Sequence, residues 1–322
     1  LIGHELAHQW FGNKITCGSW QDIWLNEGFA TYLSGLVIEH LDGESSFKSW
    51  KQQKVNSITS QTYGSVYVPA EDTLTVNRVF SGRLSYNKGS MVLHMLRQKI
   101  GEDLFYESLQ NYLSNPEFSY GYANSSDFIS SVEQTTQMEL SEFFDDWLFN
   151  QGYPSYIAEW GQPSSELQII LNQESSHESV DFFEGLITIR VFGDSGEELD
   201  LILDHNYNNQ IFIYDMDFNV SSIEVNPEFD VISKNNQVLL SSQVPEINDK
   251  LVIYPNPTHS NIEIKKPYFL EINNIELYNI NGQLISTYAY SKNLELGTLN
   301  QGQYFLKFDS ESGNIYKSLI VR

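Results

Sequence analysis

His4-Glu5-Leu6-Ala7-His8-Gln9-Trp10-Phe11-Gly12-Asn13 and Trp24-Leu25-Asn26-Glu27-Gly28-Phe29-Ala30 are the two stretches on which the reading of this chain depends. Residues four apart on a helix stand one turn above each other, with Cβ atoms about 5–6 Å apart, so His4 and His8 can turn both imidazoles to one ion. Glu5, one position beyond His4, is placed in such helices to work on the attacking water rather than to ligate. At this chain's His and Glu content the five-residue pattern is expected by chance roughly 0.01 times. Gly12-Asn13 is expected to end the first helix with a left-handed cap. The loop through Cys17-Gly18-Ser19 then reverses the chain into a second helix starting near Asp22 or Asn26. That puts Glu27, nineteen positions after His8, in its first turn. Two histidines and one carboxylate with an open fourth position form the catalytic type of zinc site.

Working outward, the residues around these stretches read as helical. Apolar positions recur every three or four residues over 25–41, 89–100, 103–113, 126–135 and 140–149, with Ser126 as the expected N-cap of the fourth. The last puts Leu140, Phe143, Phe144, Trp147 and Leu148 on one face. From Tyr153 the period drops to two, as in Leu167–Leu171, Leu186–Val191 and Gln210–Tyr214. A second β series follows from Leu251, including Ile262–Lys265, Ile275–Tyr278, Gln283–Ile285 and Tyr304–Phe308, with Asn281-Gly282 as a hairpin turn. Charge changes with the period: acids and bases number 18 and 9 in residues 1–153, 16 and 2 in 154–244, and 8 and 7 in 245–322. The boundaries are therefore set at Gly152-Tyr153-Pro154 and Val244-Pro245. The fold class expected is α+β multidomain, a mainly helical half followed by two antiparallel β-sandwich domains.

Composition removes several functions. A net charge of −24 over 322 residues repels phosphate backbones, so nucleic acid is excluded as a partner. No stretch approaches the ~18 apolar residues of a membrane-spanning helix. The single cysteine, Cys17, excludes disulfide frameworks and multi-cysteine metal sites within the chain, and reads as an inert thiol. His40, His94, His177, His205 and His259 read as ordinary surface or cap residues. The acidic middle segment reads as a solvated face, Asp215-Met216-Asp217 being too short for a calcium loop. The start at Leu1 reads as the C-terminal part of a longer protein.

With eighteen residues between His8 and Glu27, the two opening stretches resemble the M1 family of zinc metallopeptidases, the gluzincin aminopeptidases. The resemblance continues in Leu84-Ser85-Tyr86-Asn87-Lys88-Gly89, Phe143-Phe144-Asp145-Asp146-Trp147 and Gly152-Tyr153-Pro154. It implies a thermolysin-like catalytic fold over residues 1–153, one Zn2+ held by His4, His8 and Glu27, Glu5 as general base and Tyr86 as oxyanion stabiliser. It also implies peptide or protein substrates. The family's Gly-rich exopeptidase motif lies upstream of the zinc helix and is not in this chain, so an endopeptidase with the same metal centre stays open. So does an inactive surface binding or adhesion protein.

The last segment resembles the type A sorting domains of the type IX secretion system. The residues are Val252-Ile253-Tyr254-Pro255-Asn256-Pro257-Thr258, Ile275–Gln283, Gly302–Lys307 and the terminal Lys317-Ser318-Leu319-Ile320-Val321-Arg322. This implies an Ig-like β-sandwich over 245–322, type IX machinery as a partner, and a secreted or outer-surface location.

Overall fold

A computed structural model of the chain describes residues 1–241, 251–266, 270–310 and 313–322. The boundary expected at Val244-Pro245 lies outside the described residues. Two compact units are present, the first made of Leu1–Ala158, Ile170–Gln210 and Phe218–Leu239, the second of Glu159–Ile169, Ile211–Asp217 and Leu240–Arg322.

The first unit opens with α1 (Ile2–Ala7), a short strand β1 (Ile15–Cys17) and the long α2 (Trp24–Asp42). Gly43, at φ +82°, lets the chain turn straight into α3 (Glu44–Ile58). A Cβ on Gly35 of α2 would sit 2.8 Å from the Trp50 ring, so the missing side chain is what lets α3 lie this close. After the short α4 (Val76–Val79) comes a π-helical turn, Gly82–Lys88, which runs into α5 (Gly89–Ile100). From Gly89 to Leu96 every residue of α5 is buried. Then follow α6 (Glu102–Ser114), β2 (Gly121–Ala123), α7 (Ser125–Thr136) and α8 (Ser141–Phe144). Strands β1 and β2 pair in parallel.

The periodic helices lie where the sequence placed them, with three departures. The helix expected over 140–149 is α-helical only to Phe144 and π-helical over Asp145–Phe149, although Leu140, Phe143, Phe144, Trp147 and Leu148 are all buried as expected. Ser126 is not the N-cap of α7; Asn124 is, and its N–H donates to the Asp127 carboxylate over 2.8 Å. Helix α1 ends at Ala7, before Gly12, which sits instead in the following turn at φ +142°. The unexpected α3 buries Phe47, Trp50, Val55 and Ile58.

Between Pro154 and Leu240 the chain is all strand and turn. Strands β3 (Pro154–Gly161) and β4 (Glu166–Ser175) contribute residues to both units. So do β7 (Gln210–Asp215) and β9 (Gln237–Leu240). Within the first unit, β5 (Gly185–Gly193) is the middle of an antiparallel sheet with β6 (Glu198–His205) and β8 (Val220–Val225). Ile187, Ile189 and Val191 of β5 point inward, as their spacing of two dictates.

In the second unit β10 (Val252–Tyr254), β11 (Asn261–Lys265) and β14 (Asn293–Glu295) form one antiparallel sheet. Strands β12 (Ile272–Asn279), β13 (Leu284–Ala289), β15 (Gly302–Ser310) and β16 (Gly313–Val321) form another, in the order β13–β12–β15–β16. Ile262, Ile264, Leu277, Leu306, Phe308 and Leu319 from both sheets join one buried apolar cluster. Gly282, at φ +75°, closes the β12–β13 hairpin, and the Asn279 side-chain oxygen accepts from the Asn281 and Gln283 N–H groups.

Candidate metal centre

Helix α1 carries His4, its C-cap His8 stands one turn further on, and α2 supplies Glu27 from its first turn. Their free atoms form a nearly equilateral triangle: 3.2 Å between the two Nε2 atoms, and 3.3 and 3.4 Å from these to Glu27 Oε2. A tetrahedral ion with bonds of about 2.0–2.1 Å needs ligand-to-ligand edges of about 3.3–3.4 Å. The donor set and spacing therefore fit one divalent ion, and no rearrangement is needed to receive it. His8 Nδ1 donates to the Phe11 carbonyl over 3.0 Å, which leaves the Nε2 lone pair facing the triangle. The three side chains are 13–22% exposed, enough for a ligand to reach them from solvent.

Glu27 is placed by its neighbours. Asp22, buried just before α2, accepts from Ser125 N (2.9 Å), Ser125 Oγ (2.7 Å) and Ser19 Oγ (2.9 Å). Trp24 Nε1 donates to the same Ser125 hydroxyl. The Asn26 side-chain oxygen accepts from Cys17 N, tying β1 to the start of α2. One residue past Glu27, a Cβ on Gly28 would lie 3.1 Å from the Gly89 backbone, so the close approach of α2 to α5 requires a glycine there.

Tyr86 reaches the triangle from the π-helical turn. Its ring stacks on His4, with centroids 5.9 Å apart and planes 12° from parallel. Burial first, then the charge and hydrogen bond of Glu27 and the charge of Glu5, push its pKa up to about 12, so the phenol keeps its proton at neutral pH. Glu5 is exposed on α1, close enough for its charge to act on Tyr86. All five residues singled out from sequence thus lie in one region. The sequence marks Asp22 only as a possible helix start, and Gly28 and Lys88 stand inside the quoted motifs without a distinct signal of their own.

The other residues weighed above fall elsewhere. His94 and His205 are fully buried rather than on the surface. His94 Nε2 meets Asp230 at 2.9 Å, beside Lys51. Burial would raise the Asp230 pKa, but His94 and Lys51 outweigh it and hold the carboxyl at about 2. Cys17 is pushed up to about 11 by burial and then Asp22, which leaves it an unreactive thiol. A cavity of about 80 Å³ lined by Met95, Phe143, Trp147, Leu186 and Ile202 contains none of the metal-centre residues.

Residues 1–147 match the peptidase family M1 domain, and residues 252–322 match the secretion system C-terminal sorting domain. Over 184 residues the chain is 32% identical to glutamyl aminopeptidase of Mus musculus, covering 54% of this chain and 19% of that protein. Over 164 residues it is 34% identical to leucyl aminopeptidase of Saccharolobus solfataricus, covering 48% and 20%. The crystal structure of Legionella pneumophila aminopeptidase A in complex with aspartic acid superposes with a TM-score of 0.55 at 16% identity, over 75% of this chain and 26% of that one, and shares the fold. The chain spans about a fifth of the length of the two relatives compared by sequence. The helical region, residues 1–147, is therefore similar to peptidase family M1, a family of metallopeptidases. The chain ends in a sorting domain that directs proteins to secretion or the cell surface. No helix among the described residues is long and apolar enough to cross a membrane.

Proposed function

We propose that this chain is a secreted zinc-dependent aminopeptidase in which His4, His8 and Glu27 hold the ion, Glu5 is the general base and Tyr86 stabilises the oxyanion. The observation that carries the reading is the triangle of 3.2, 3.3 and 3.4 Å on donors of the catalytic zinc type. A zinc ion bound there supplies Lewis acidity and lowers the pKa of water from 15.7 towards about 7. Glu5 takes the proton of the attacking water as it adds to the peptide carbonyl, then hands it to the departing amine. Tyr86, protonated and held flat against His4, donates its hydroxyl to the oxygen that gains charge.

Removal of amino-terminal residues from peptides is drawn from the names of the relatives, both aminopeptidases. In this reading residues 1–153 are the peptidase region, 154–244 an acidic β-sandwich, and 245–322 an Ig-like β-sandwich recognised by type IX machinery.

The test is cleavage by the full chain of aminoacyl fluorogenic substrates and amino-blocked peptides, with and without a chelator. Cleavage confined to free-amine substrates and lost with chelator is expected, together with about one zinc per chain. Chelator-sensitive cleavage of blocked peptides would make the protein an endopeptidase. With no zinc and no chelator-sensitive cleavage, a surface binding or adhesion protein would be left.

A further inference from the structure

Almost every side chain of the π-helical turn Gly82–Lys88 is tied down. Arg83 donates to the carbonyls of Ile58 (3.3 Å) and Tyr63 (2.7 Å), and Leu84 is buried. Ser85 Oγ donates to the Val79 carbonyl (2.7 Å) and Asn87 Nδ2 to Ser57 Oγ (3.0 Å). Tyr86 alone is turned to His4.

The last anchor is the unusual one. Lys88 is 1% exposed, and its Nζ lies 3.4 Å from each of two carbonyls, those of Asn150 and Gly152. No carboxylate among the described residues pairs with it. Burial and then the nearby Arg83 charge pull its pKa down to about 7. An amine buried without a counter-charge is costly. A leucine or methionine would fill the same space without that cost, unless the two carbonyls need a donor. Those carbonyls belong to the segment that leaves the second π-helical turn, Asp145–Phe149. Leu148 of that turn in turn accepts from Val66 and Tyr67 N–H. One residue beyond Lys88, Gly89 packs on Gly28, next to Glu27. The amine thus fixes the end of the turn beside the point where the Gly89 backbone and the Ser85 carbonyl approach Gly28 on the helix that carries Glu27.

We infer that Lys88 is a positioning residue for Tyr86: its donation to the Asn150 and Gly152 carbonyls holds the turn in the register that puts the phenol against His4. The inference rests on the peptidase reading above for its effect on turnover, but its geometry stands without it. Displacing a reacting group by about 1 Å can cost about 100-fold in rate.

In the full chain, Lys88→Met should lower kcat by about 10- to 100-fold while KM and zinc content stay near wild type. Tyr86→Phe combined with Lys88→Met should be no slower than Tyr86→Phe alone, because the anchor acts only through the hydroxyl. A second readout needs no turnover: with ring-labelled tyrosine, the Tyr86 NMR signal, assigned by its loss in Tyr86→Phe, should shift in Lys88→Met. Lys88→Gln, which keeps a donor, should shift it less and carries the comparison should the Met variant not fold. Multiplying losses in the double variant, or an unmoved Tyr86 signal, would overturn the inference. If the wild type cleaves nothing, the peptidase reading fails while the NMR shift still decides the role of Lys88.

Discussion

The helical region and the C-terminal strands fill their interiors with different chemistry. Between residues 1 and 150 the buried side chains include Asp22, Lys51, Ser85, Lys88, Ser90, His94 and Ser125 alongside the apolar core. From residue 251 onward the described buried side chains are hydrocarbon and aromatic apart from Thr258 and Ser310. A buried polar group is costly unless satisfied, but once satisfied it is directional, whereas hydrocarbon packing is not. The helical region uses that directionality to aim Glu27 and Tyr86. The strands from residue 251 onward are held by apolar packing.

The sharpest test of this contrast is the reaction itself. Glu5→Gln keeps the shape of the side chain but cannot accept a proton. Turnover on aminoacyl substrates should fall by about 10²- to 10⁴-fold. Zinc content should not change, because Glu5 is outside the triangle. Retention of turnover would remove the general base from the reading.

Phe308→Ala in the second unit should do the opposite. Phe308 is fully buried in the apolar cluster, and deleting such a ring costs about 3–5 kcal/mol. Urea unfolding should report that loss, with kcat under native conditions unchanged. A fall in kcat in the folded protein would break the division between an aiming region and a merely stable one.

Tyr86→Phe tests the aim without disturbing the packing. Losing one donor to a developing oxyanion typically costs about 2.7–4 kcal/mol of barrier. Single-turnover rates should drop accordingly, with zinc content and melting temperature near wild type. An unchanged rate would show that the ring stacked on His4 is structural.

The same contrast explains what could be read in advance. The His4–His8 pair is a local matter of helical spacing, and Glu27 follows once a second helix starts near Asn26. The strands from Leu251 onward announced themselves because alternation and Asn281-Gly282 are also local. Helix α3 escaped notice because Gln52, Gln53 and Lys54 interrupt its apolar positions, and Lys51 is buried although charged. The N-cap of α7 is not settled by the sequence because Asn124, Ser125 and Ser126 all qualify, and it is the reciprocal capping box of Asn124 with Asp127 that separates them. The two π-helical turns, which carry Tyr86 and Trp147, have no propensity signature. Lys88 and His205 looked ordinary because burial is a tertiary property that no short window carries.

His205 gives the gentlest test, in the β-strand part of the first unit. The ring is fully buried on β6, with Nε2 donating to the Leu171 carbonyl over 3.1 Å. Its other nitrogen lies 3.3 Å from the Gln173 amide nitrogen, whose oxygen is already engaged by Phe183 N–H. Burial pulls the pKa down to about 4, against the opposing pull of backbone carbonyls. An unfolded histidine titrates near 6.5, so between about pH 6.5 and 4 the unfolded chain binds the extra proton and the folded one does not. Stability from this group is therefore present above pH 6.5 and lost as the pH falls. The loss from this group between pH 7 and 5.5 should be about 1 kcal/mol. His205→Gln, neutral throughout, should be less stable than wild type at pH 7 yet lose less on acidification, and urea midpoints at the two pH values measure the difference. An equal acid loss in both proteins would mean that the buried ring takes up its proton over the same pH range as in the unfolded chain, so that its burial does not shift its titration.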